Sequence, residues 1–320
     1  MNEESFIFNI VSNLDMDQKT LFEVGAHVGG SIKKYAEQGW EIHAFEPDPK
    51  NREKLKAWSN QYQNVHVNAE AVSETNQKNA TFYFSAESTG ISSLSSFHET
   101  HTEGTSVDVI TLRDYCASKH IKHISLLKID AEGHDLFVLK GFPWESMMPE
   151  VIVTEFEDRK TKPLGYTYHD QAKLLIDMGY KVVVSEWQPI IKYGIQHNWE
   201  RLCYYPCDLK NINGWGNFFA FRKDTDESVI LESLSKMLVT QEKMINVRDE
   251  AILVKKQQLQ TKDIQIGNRD KAIEAKKEEV LKLNTLLSNR DDIINHKSIT
   301  TIFQKASDKV KNHLKSLKRS

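Results

Sequence analysis

The first 223 residues alternate short, nearly continuous apolar segments with segments of helical character. Because parallel strands that are buried on both faces are apolar throughout, this alternation predicts a mostly parallel α/β sheet with helices on both faces. Such a sheet binds its ligand at the carboxyl ends of the strands, so we expect functional residues in the loops that follow them. The predicted strands are 20–24, 40–45, 65–72, 80–84, 124–129, 151–156, 181–187 and 217–222, and the predicted helices are 31–38, 49–58, 112–120, 135–140 and 171–178.

The composition changes after Lys223. All six Trp and all seven Pro residues precede this position, whereas the remainder is rich in charged residues and has Gly267 as its single glycine. We therefore predict a globular domain at 1–223, a coiled coil at 224–295 and a terminal helix at 296–320. The net charge of −3 gives no reason to expect a nucleic-acid partner. Three cysteines, together with no signal-peptide pattern and no apolar stretch of spanning length, predict a cytoplasmic protein.

A glycine-containing loop, Glu23-Val-Gly-Ala-His-Val-Gly-Gly, follows the first predicted strand. Glycines allow a tight turn and a close approach of the backbone to a ligand at the start of the next helix. The spacing is G-x-x-x-G rather than the G-x-G-x-x-G of dinucleotide sites, which disfavours an NAD-linked enzyme. The carboxylate of Glu23 suits a cationic group such as the amino group of an amino acid. A tight turn that binds no ligand is the alternative.

The second predicted strand ends in Glu46-Pro47-Asp48. A carboxylate at this place can accept hydrogen bonds from both ribose hydroxyls of a nucleotide. An acidic residue here can also cap the following helix. The two interpretations are compatible, since Glu46 can bind ribose while Asp48 caps the helix.

Two carboxylates and a histidine follow the apolar strand 124–129, in the segment Asp130-Ala-Glu132-Gly-His134, and Glu155 ends the next strand. We expect these side chains at the strand ends, where one of them would act as a general base. Any single acid of this set is more often a helix cap or a salt-bridge partner. A divalent metal held by the carboxylates is a less favoured alternative, and no metal is predicted.

A second group of residues, His169, His197, Cys203 and Cys207, could suggest zinc. The Cys-x3-Cys spacing without a second close pair is a poor match to structural zinc sites. We interpret this region as packing or as a wall of the substrate site.

Four segments resemble the FkbM-type methyltransferases. They are Glu23-Val-Gly-Ala-His-Val-Gly, His43-Ala-Phe-Glu-Pro-Asp-Pro, Ser92-Ser-Leu and Leu127-Lys-Ile-Asp-Ala-Glu-Gly-His-Asp-Leu. The resemblance spans residues 19–223. It implies the Rossmann-like class I methyltransferase fold, with seven strands in the order 3-2-1-4-5-7-6 and strand 7 antiparallel. It also implies S-adenosylmethionine as the cofactor and a hydroxyl group, often of a sugar, as the acceptor.

The resemblance places Ala71-Val-Ser beside the adenine. Glu23 and His27 stand where the family usually has Asp and Asn, and both substitutions keep a carboxylate and a hydrogen-bonding group. Arg113 stands where the family generally has Asp, and nothing in the sequence explains this difference. The predicted cofactor contacts are Glu23, Gly25, Ala26, His27, Gly29, Glu46, Ala71 and Asp130. The predicted catalytic residues are Asp130, Glu132, His134 and Glu155.

The tail carries an aliphatic residue at every seventh position. These residues are Leu231, Leu238, Ile245, Ile252, Leu259, Ile266, Ile273, Val280, Leu287 and Ile294. An unbroken register of this length is typical of a coiled coil. The pairs Arg248-Asp249, Arg269-Asp270 and Arg290-Asp291 recur at a spacing of three heptads. The second core row is largely basic, so the seam is weaker than a fully apolar one. We predict a homo-oligomer, either a dimer or a trimer.

The last segment, 296–320, has seven basic residues against one acidic residue. Its apolar residues fall on one helical face, which is typical of a helix that lies on an anionic membrane surface. Packing on another protein or on the end of the coiled coil is an equal alternative. Together the sequence predicts an O-methyltransferase that acts on a sugar hydroxyl of a glycan or surface polysaccharide, in the cytoplasm and with peripheral contact to the inner membrane face. The alternative function is a non-catalytic scaffold with a methyltransferase-like fold, whose coiled coil recruits partners.

Overall fold

The computed structural model of the protein describes residues 2–14, 16, 18–85, 92–95, 101–192, 195, 197–291 and 297–317. The chain divides into two units, Met1–Leu238 and Val239–Ser320. The division lies beyond Lys223 because the first turns of the long tail helix belong to the first unit, where Ile230 and Ser233 are buried.

Eleven strands are present in the described ranges. They are β1 (Thr20–Val24), β2 (Glu41–Phe45), β3 (Val65–Asn68), β4 (Ala71–Val72), β5 (Gln77–Ser85), β6 (His101–Ile110), β7 (Leu126–Ile129), β8 (Val151–Glu157), β9 (Tyr180–Trp187), β10 (Trp199–Tyr204) and β11 (Trp215–Arg222). Nine helices accompany them in those same ranges. They are α1 (Glu3–Asn13), α2 (Lys33–Glu37), α3 (Pro49–Ser59), α4 (Leu112–Lys119), α5 (Asp135–Lys140), α6 (Asp158–Thr161), α7 (Tyr168–Asp177), α8 (Glu227–Asp291) and α9 (Lys297–Leu317).

The main sheet has eight strands in the order β10-β9-β11-β8-β7-β1-β2-β3. Strands β3, β2, β1, β7 and β8 run parallel to one another, and β11 is antiparallel to both β8 and β9. Without β10, this is the order 3-2-1-4-5-7-6 with an antiparallel seventh strand, which confirms the predicted fold. The eighth strand, β10, was not predicted because its half-buried, mixed sequence lacks the apolar run of an interior strand.

A second sheet of three strands has the order β4-β6-β5. The prediction of one strand at 65–72 is wrong, because this segment divides into β3 in the main sheet and β4 in the small one. Strand β6 was also missed, since its first half, His-Thr-Glu-Gly-Thr-Ser, has no apolar alternation to mark it. The small sheet buries Ala80 and Phe82 and supplies one wall of the cavity described below.

Apolar side chains pack against both faces of the main sheet. On one face, Phe22 and Phe45 pack with α4 around Tyr115. On the other face, Leu21 packs with α1, a helix that begins after the cap formed by Asn2 and buries Phe6 on the sheet. The α/β sandwich therefore fixes the ends of its central strands from both sides, which is what a site at those ends requires.

The tail consists of α8 and α9. Within α8, the heptad residues Leu231, Ile252, Leu259 and Ile266 are exposed in the single chain. Within α9, Ile302, Phe303 and Val310 are exposed on the apolar face. Across the parts of the chain that the structure describes, no helix is both long enough and apolar enough to cross a membrane.

Candidate active site

A cavity lies at the carboxyl ends of β1, β2 and β7, where the sheet topology places a ligand site. Its lining residues are Val24, Gly25, His27, Phe45, Glu46, Pro47, Asn51, Glu70, Ala71, Val72, Phe82, Ser92, Ser93, Leu94, Asp130, Ala131, Glu132 and His134. Of the eleven residues predicted for the site, seven line this cavity. The four that do not are Glu23, Ala26, Gly29 and Glu155.

The glycine loop is held tightly against the neighbouring strands. The backbone N–H groups of Gly25 and Ala26 both donate to the carbonyl oxygen of Phe45, each at 3.0 Å. Gly25 has a φ of +84°, and a Cβ atom there would lie 1.9 Å from the backbone oxygen of Asp130. Only glycine combines this backbone conformation with this close approach. Backbone geometry therefore requires glycine at position 25, whether or not a ligand is bound.

Glu46 presents its carboxylate at the edge of the cavity. Oε2 accepts a hydrogen bond from the backbone N–H of His27 at 2.6 Å, and Oε1 accepts one from the N–H of Asp48 at 2.8 Å. The side chain is 5 % exposed, and burial raises the pKa of its carboxyl group to about 8. Each oxygen can still accept a second hydrogen bond. Asp48 caps α3 by accepting from the N–H groups of Lys50 and Asn51, which confirms the cap, while Glu46 lines the cavity.

Asp130 follows the last residue of β7. Its backbone N–H donates to the carbonyl oxygen of Val24 at 2.9 Å, which anchors it next to the glycine loop. Its Oδ1 atom is buried, and no residue in the described ranges makes a hydrogen bond with it. A buried carboxylate oxygen without a partner is costly, so this atom is suited to a ligand that carries a hydrogen-bond donor or a positive charge.

One wall of the cavity is apolar. Ala71 and Val72 of β4, Phe82 of β5 and Leu94 supply it. Such side chains are suited to a flat aromatic group. The cavity therefore combines an apolar wall with the carboxyl groups of Glu46, Glu70, Asp130 and Glu132.

Beside the cavity lies a buried lysine that was not predicted. Lys160 of α6 is 2 % exposed, and its Nζ lies 2.6 Å from Glu132 Oε2, 2.9 Å from Glu155 Oε2 and 3.1 Å from Glu157 Oε2. We call these four residues the Lys160 cluster. In the sequence, Lys160 stands among acidic and basic residues that look like an exposed charged turn, and no signal distinguishes it from its neighbours Arg159 and Lys162.

Burial raises the pKa of two carboxyl groups in the Lys160 cluster, those of Glu132 and Glu155. The pKa of Glu132 lies well above its usual range, and that of Glu155 is raised to about 7, while the positive charge of Lys160 opposes both shifts. One oxygen each of Asp130, Glu132 and Glu155 lie within 4.8 Å of one another, a spacing that suits a bound cation. The ammonium group of Lys160 forms ion pairs with two of these three carboxyl groups, those of Glu132 and Glu155.

His134 lines the cavity at the start of α5. Its Nδ1 lies 3.2 Å from the hydroxyl oxygen of Ser95, and burial lowers the pKa of the imidazole to about 4. The ring is therefore neutral at pH 7. A base with so low a pKa is poorly matched to proton abstraction at neutral pH, whereas a carboxyl group with a pKa near 7 is well matched.

The structure does not place Glu23 in the cavity. Its carboxylate is buried on the α1 side of the sheet, where it accepts from the hydroxyl of Ser31 at 2.5 Å and pairs with Lys128 Nζ at 2.7 Å. Gly29 does not line the cavity either, and it packs against α3, where a Cβ atom would lie 2.3 Å from the Leu55 side chain. These two residues shape the packing behind the loop, and the carboxylate that borders the cavity in the place expected for Glu23 is that of Asp130.

Comparisons with known proteins give one family match. The family model described as Methyltransferase FkbM domain matches residues 23–182, half of the chain. Precorrin-6y C5,15-methyltransferase from Geobacter metallireducens GS-15 is 13 % identical, with 68 % of this chain and 88 % of that chain covered and a TM-score of 0.34. A fibrillarin from Aeropyrum pernix, solved with natively bound S-adenosyl-L-methionine, is 10 % identical, with 68 % and 73 % covered and a TM-score of 0.35. No curated protein matches the chain.

Proposed function

Because the chain belongs to the FkbM family of methyltransferases, we propose that it methylates a hydroxyl group, with a sugar of a glycan or surface polysaccharide as the acceptor. Family membership establishes the reaction class, which is methyl transfer from S-adenosylmethionine. The proposal concerns the acceptor and the residues that activate it. The observation that carries it is the Lys160 cluster, which holds carboxyl groups of raised pKa at the border of the cofactor cavity.

The cavity fits the cofactor at three places. The two oxygens of Glu46 can accept from the ribose hydroxyls, and the unpartnered Oδ1 of Asp130 can accept from the amino group of the methionine part. The apolar wall around Val72 and Phe82 suits the adenine. When bound, S-adenosylmethionine supplies an electrophilic methyl group on a sulfonium.

A hydroxyl acceptor loses its proton as the new bond forms, so a general base within hydrogen-bond reach accelerates the reaction by about 10²–10⁴-fold. Within the Lys160 cluster, Glu132 is the carboxyl group that lines the cavity, whereas Glu155 does not line it. Lys160 contacts Glu132, and its positive charge opposes the rise in the pKa of Glu132 that burial causes. The carboxyl group therefore ionises closer to neutral pH than it would without Lys160. We therefore assign Glu132 as the base and Lys160 as the residue that positions it.

Two variants of the full-length chain separate cofactor binding from catalysis. Asp130→Asn should weaken S-adenosylmethionine binding by about tenfold in isothermal titration, as expected for a lost hydrogen bond to a charged group. Glu132→Gln should leave binding within a factor of about two and lower kcat on a hydroxylated acceptor by about 10²-fold. An unchanged kcat in Glu132→Gln would remove Glu132 as the base.

The acceptor class is tested with labelled S-adenosylmethionine and panels of polysaccharides, phenols and small alcohols. Label is expected in a sugar methyl ether, identified by mass spectrometry after hydrolysis of the glycan. Transfer to phenols or other non-sugar hydroxyls with no transfer to any glycan would overturn the sugar proposal while leaving the reaction class intact.

The tail supports two further parts of the proposal. We infer that α8 associates with a second or third copy of the chain, because its heptad residues, among them Ile252, Leu259 and Ile266, are exposed in the single chain. Sedimentation of the full-length protein at tens of micromolar should give a dimer or trimer, and truncation after Leu238, which keeps the buried Ile230 and Ser233, should give a monomer. A monomeric full-length protein would contradict this inference.

We also infer that α9 contacts the inner face of the membrane from the cytoplasm. Its exposed apolar residues Ile302, Phe303 and Val310 lie on a helix that is rich in lysine. The full chain should bind vesicles that contain anionic lipid, and binding should weaken as salt rises because the charges are screened. Equal binding to neutral and anionic vesicles would contradict an electrostatic contact.

A further inference from the structure

A group of metal-binding side chains lies on the α4 face of the sheet, apart from the cofactor cavity. Glu41 and His43 stand two residues apart on β2 and so face the same side, and His66 on β3 is the register partner of His43. The rings of His43 and His66 stack with their centroids 5.0 Å apart. One ligand atom of each of the three residues lies within 4.8 Å of the other two. None of the three lines the cofactor cavity.

Packing alone does not explain the environment of one ring nitrogen of His43. Its side chain is buried, at 4 % exposure, between Phe22 and Tyr115. Nδ1 lies 2.8 Å from the hydroxyl oxygen of Tyr115. Nε2 is also buried, yet it has no hydrogen-bond partner in the part of the chain that the structure describes. A buried polar atom without a partner is unfavourable, so a ligand on Nε2 would remove this penalty.

The hydrogen bond between His43 and Tyr115 suits a metal ligand. When the Tyr115 oxygen accepts from Nδ1–H, the lone pair of Nε2 is free. A metal-bound histidine is commonly held in this way, with its second nitrogen donating to an oxygen.

We propose that Glu41, His43 and His66 form a binding site for a divalent transition metal, zinc by preference. Two imidazoles and one carboxylate are a ligand set that zinc favours, and they leave a fourth position for water. The contact between Glu41 Oε1 and His66 Nε2 already holds two of the ligands side by side. The ion would tie the edge strand β3 to β2 and, through Tyr115, to α4, so its expected role is to stabilise this edge of the sheet.

The test uses the full-length chain after removal of metal with EDTA. Titration with zinc chloride alone should give one site per chain in the micromolar range or tighter, and cobalt should give the absorption of a tetrahedral site. His66→Asn and Glu41→Gln are the test variants, because both side chains are half-exposed and their loss leaves the core intact. Each should weaken zinc binding at least tenfold and abolish the cobalt absorption.

Two controls keep the result specific. His120→Asn alters an exposed histidine at the left-handed C-cap of α4, where asparagine is well tolerated, and should leave zinc binding unchanged. Cys203→Ser combined with Cys207→Ser removes the two thiols that lie 3.2 Å apart and should also leave it unchanged. The proposal is overturned if wild type binds no zinc at 100 μM, which is about the weakest useful affinity for such a site. It is equally overturned if binding survives in His66→Asn or is lost in the cysteine variant.

Discussion

Replacing Lys160 by methionine should destabilise the protein in a way that depends strongly on pH. Methionine keeps most of the length of the side chain but removes the charge that Glu132, Glu155 and Glu157 share. Their carboxyl groups would then remain buried beside one another, with only Glu157 retaining a basic partner in Arg159, 2.9 Å away. Removing one member of a buried ion pair usually costs about 3–5 kcal/mol, because the remaining charge is left without compensation.

The pH dependence follows from the direction of the pKa shifts. In wild type the pKa of Glu132 and Glu155 is already raised by burial, and Lys160 lowers it. Without Lys160 the pKa of both groups rises further, so the folded variant takes up protons that the unfolded chain does not hold. A raised carboxyl pKa gives stability that is present at low pH and is lost as the pH rises through the folded value. We expect the full cost of about 3–5 kcal/mol at pH 8 and a cost at least about 1.4 kcal/mol smaller at pH 5.

Urea unfolding followed by tryptophan fluorescence measures this cost, because all six Trp residues precede Lys223 and therefore report on the catalytic domain. Lys162→Met is the matched control, since its side chain is 50 % exposed and its partner Asp158 keeps the hydrogen bond from the backbone N–H of Tyr168. That control should lose no more than about 0.5 kcal/mol at either pH. If Lys160→Met cost no more than the control, or if its cost were the same at pH 5 and pH 8, the account of a charge-compensated buried cluster would be wrong.

Three further variants test the cavity. Gly25→Ala should cost about 3 kcal/mol in urea unfolding, since the new Cβ meets a backbone oxygen at a positive φ, and should abolish measurable S-adenosylmethionine binding by calorimetry. The stability of Glu46→Gln relative to wild type should increase as the pH rises from 4.5 to 8, by up to about 1.4 kcal/mol per pH unit. Over this range folded wild type keeps a proton on Glu46 that the unfolded chain releases, so wild type loses stability as the pH rises. An identical pH dependence of the two unfolding free energies would count against the raised pKa of Glu46. Glu23→Gln should cost about 1.5–3 kcal/mol in unfolding, because it replaces the ion pair with Lys128 while Lys128 keeps its pair with Glu4. The cofactor Kd should stay within about threefold, and a large loss of affinity would show that Glu23 contacts the cofactor after all.

The interior strands of the main sheet could be located because they are marked by uninterrupted apolar residues, whereas their order was implied by the family resemblance. Segments such as Val151–Glu157 are buried along their whole length, so hydrophobicity alone locates them. The edge strand β10 and the small-sheet strand β6 bury fewer side chains and therefore leave weaker patterns. Helix α1 was not predicted, since a short apolar run at the start of a chain is compatible with several structures.

The Lys160 cluster was only partly predictable, for an electrostatic reason. In the sequence, Glu132 follows one apolar strand and Glu155 lies near the end of the next, and these positions predicted a functional role for both acids. Lys160 lies instead in a short helix between charged neighbours, and a lysine in such a sequence is usually exposed. Its burial results from the tertiary meeting of β7, β8 and α6, which local patterns do not encode.

Register explains why three of the acids predicted at strand ends lie in one row across the sheet and why Glu23 does not. Val24 pairs with Phe45 on one side and with Ile129 on the other, and Ile129 pairs with Thr154. The next residue on each strand therefore forms one row across four parallel strands, and these residues are Glu46, Gly25, Asp130 and Glu155. Three of them are acids, and the fourth must be glycine because the backbone oxygen of Asp130 occupies the place of its Cβ. Glu23 lies two positions before this row, inside β1, and its alternation with Val24 turns it to the α1 face and to Lys128. For a parallel sheet, the residue that follows the last paired position is thus a better guide to the site than the nearest acid in the sequence.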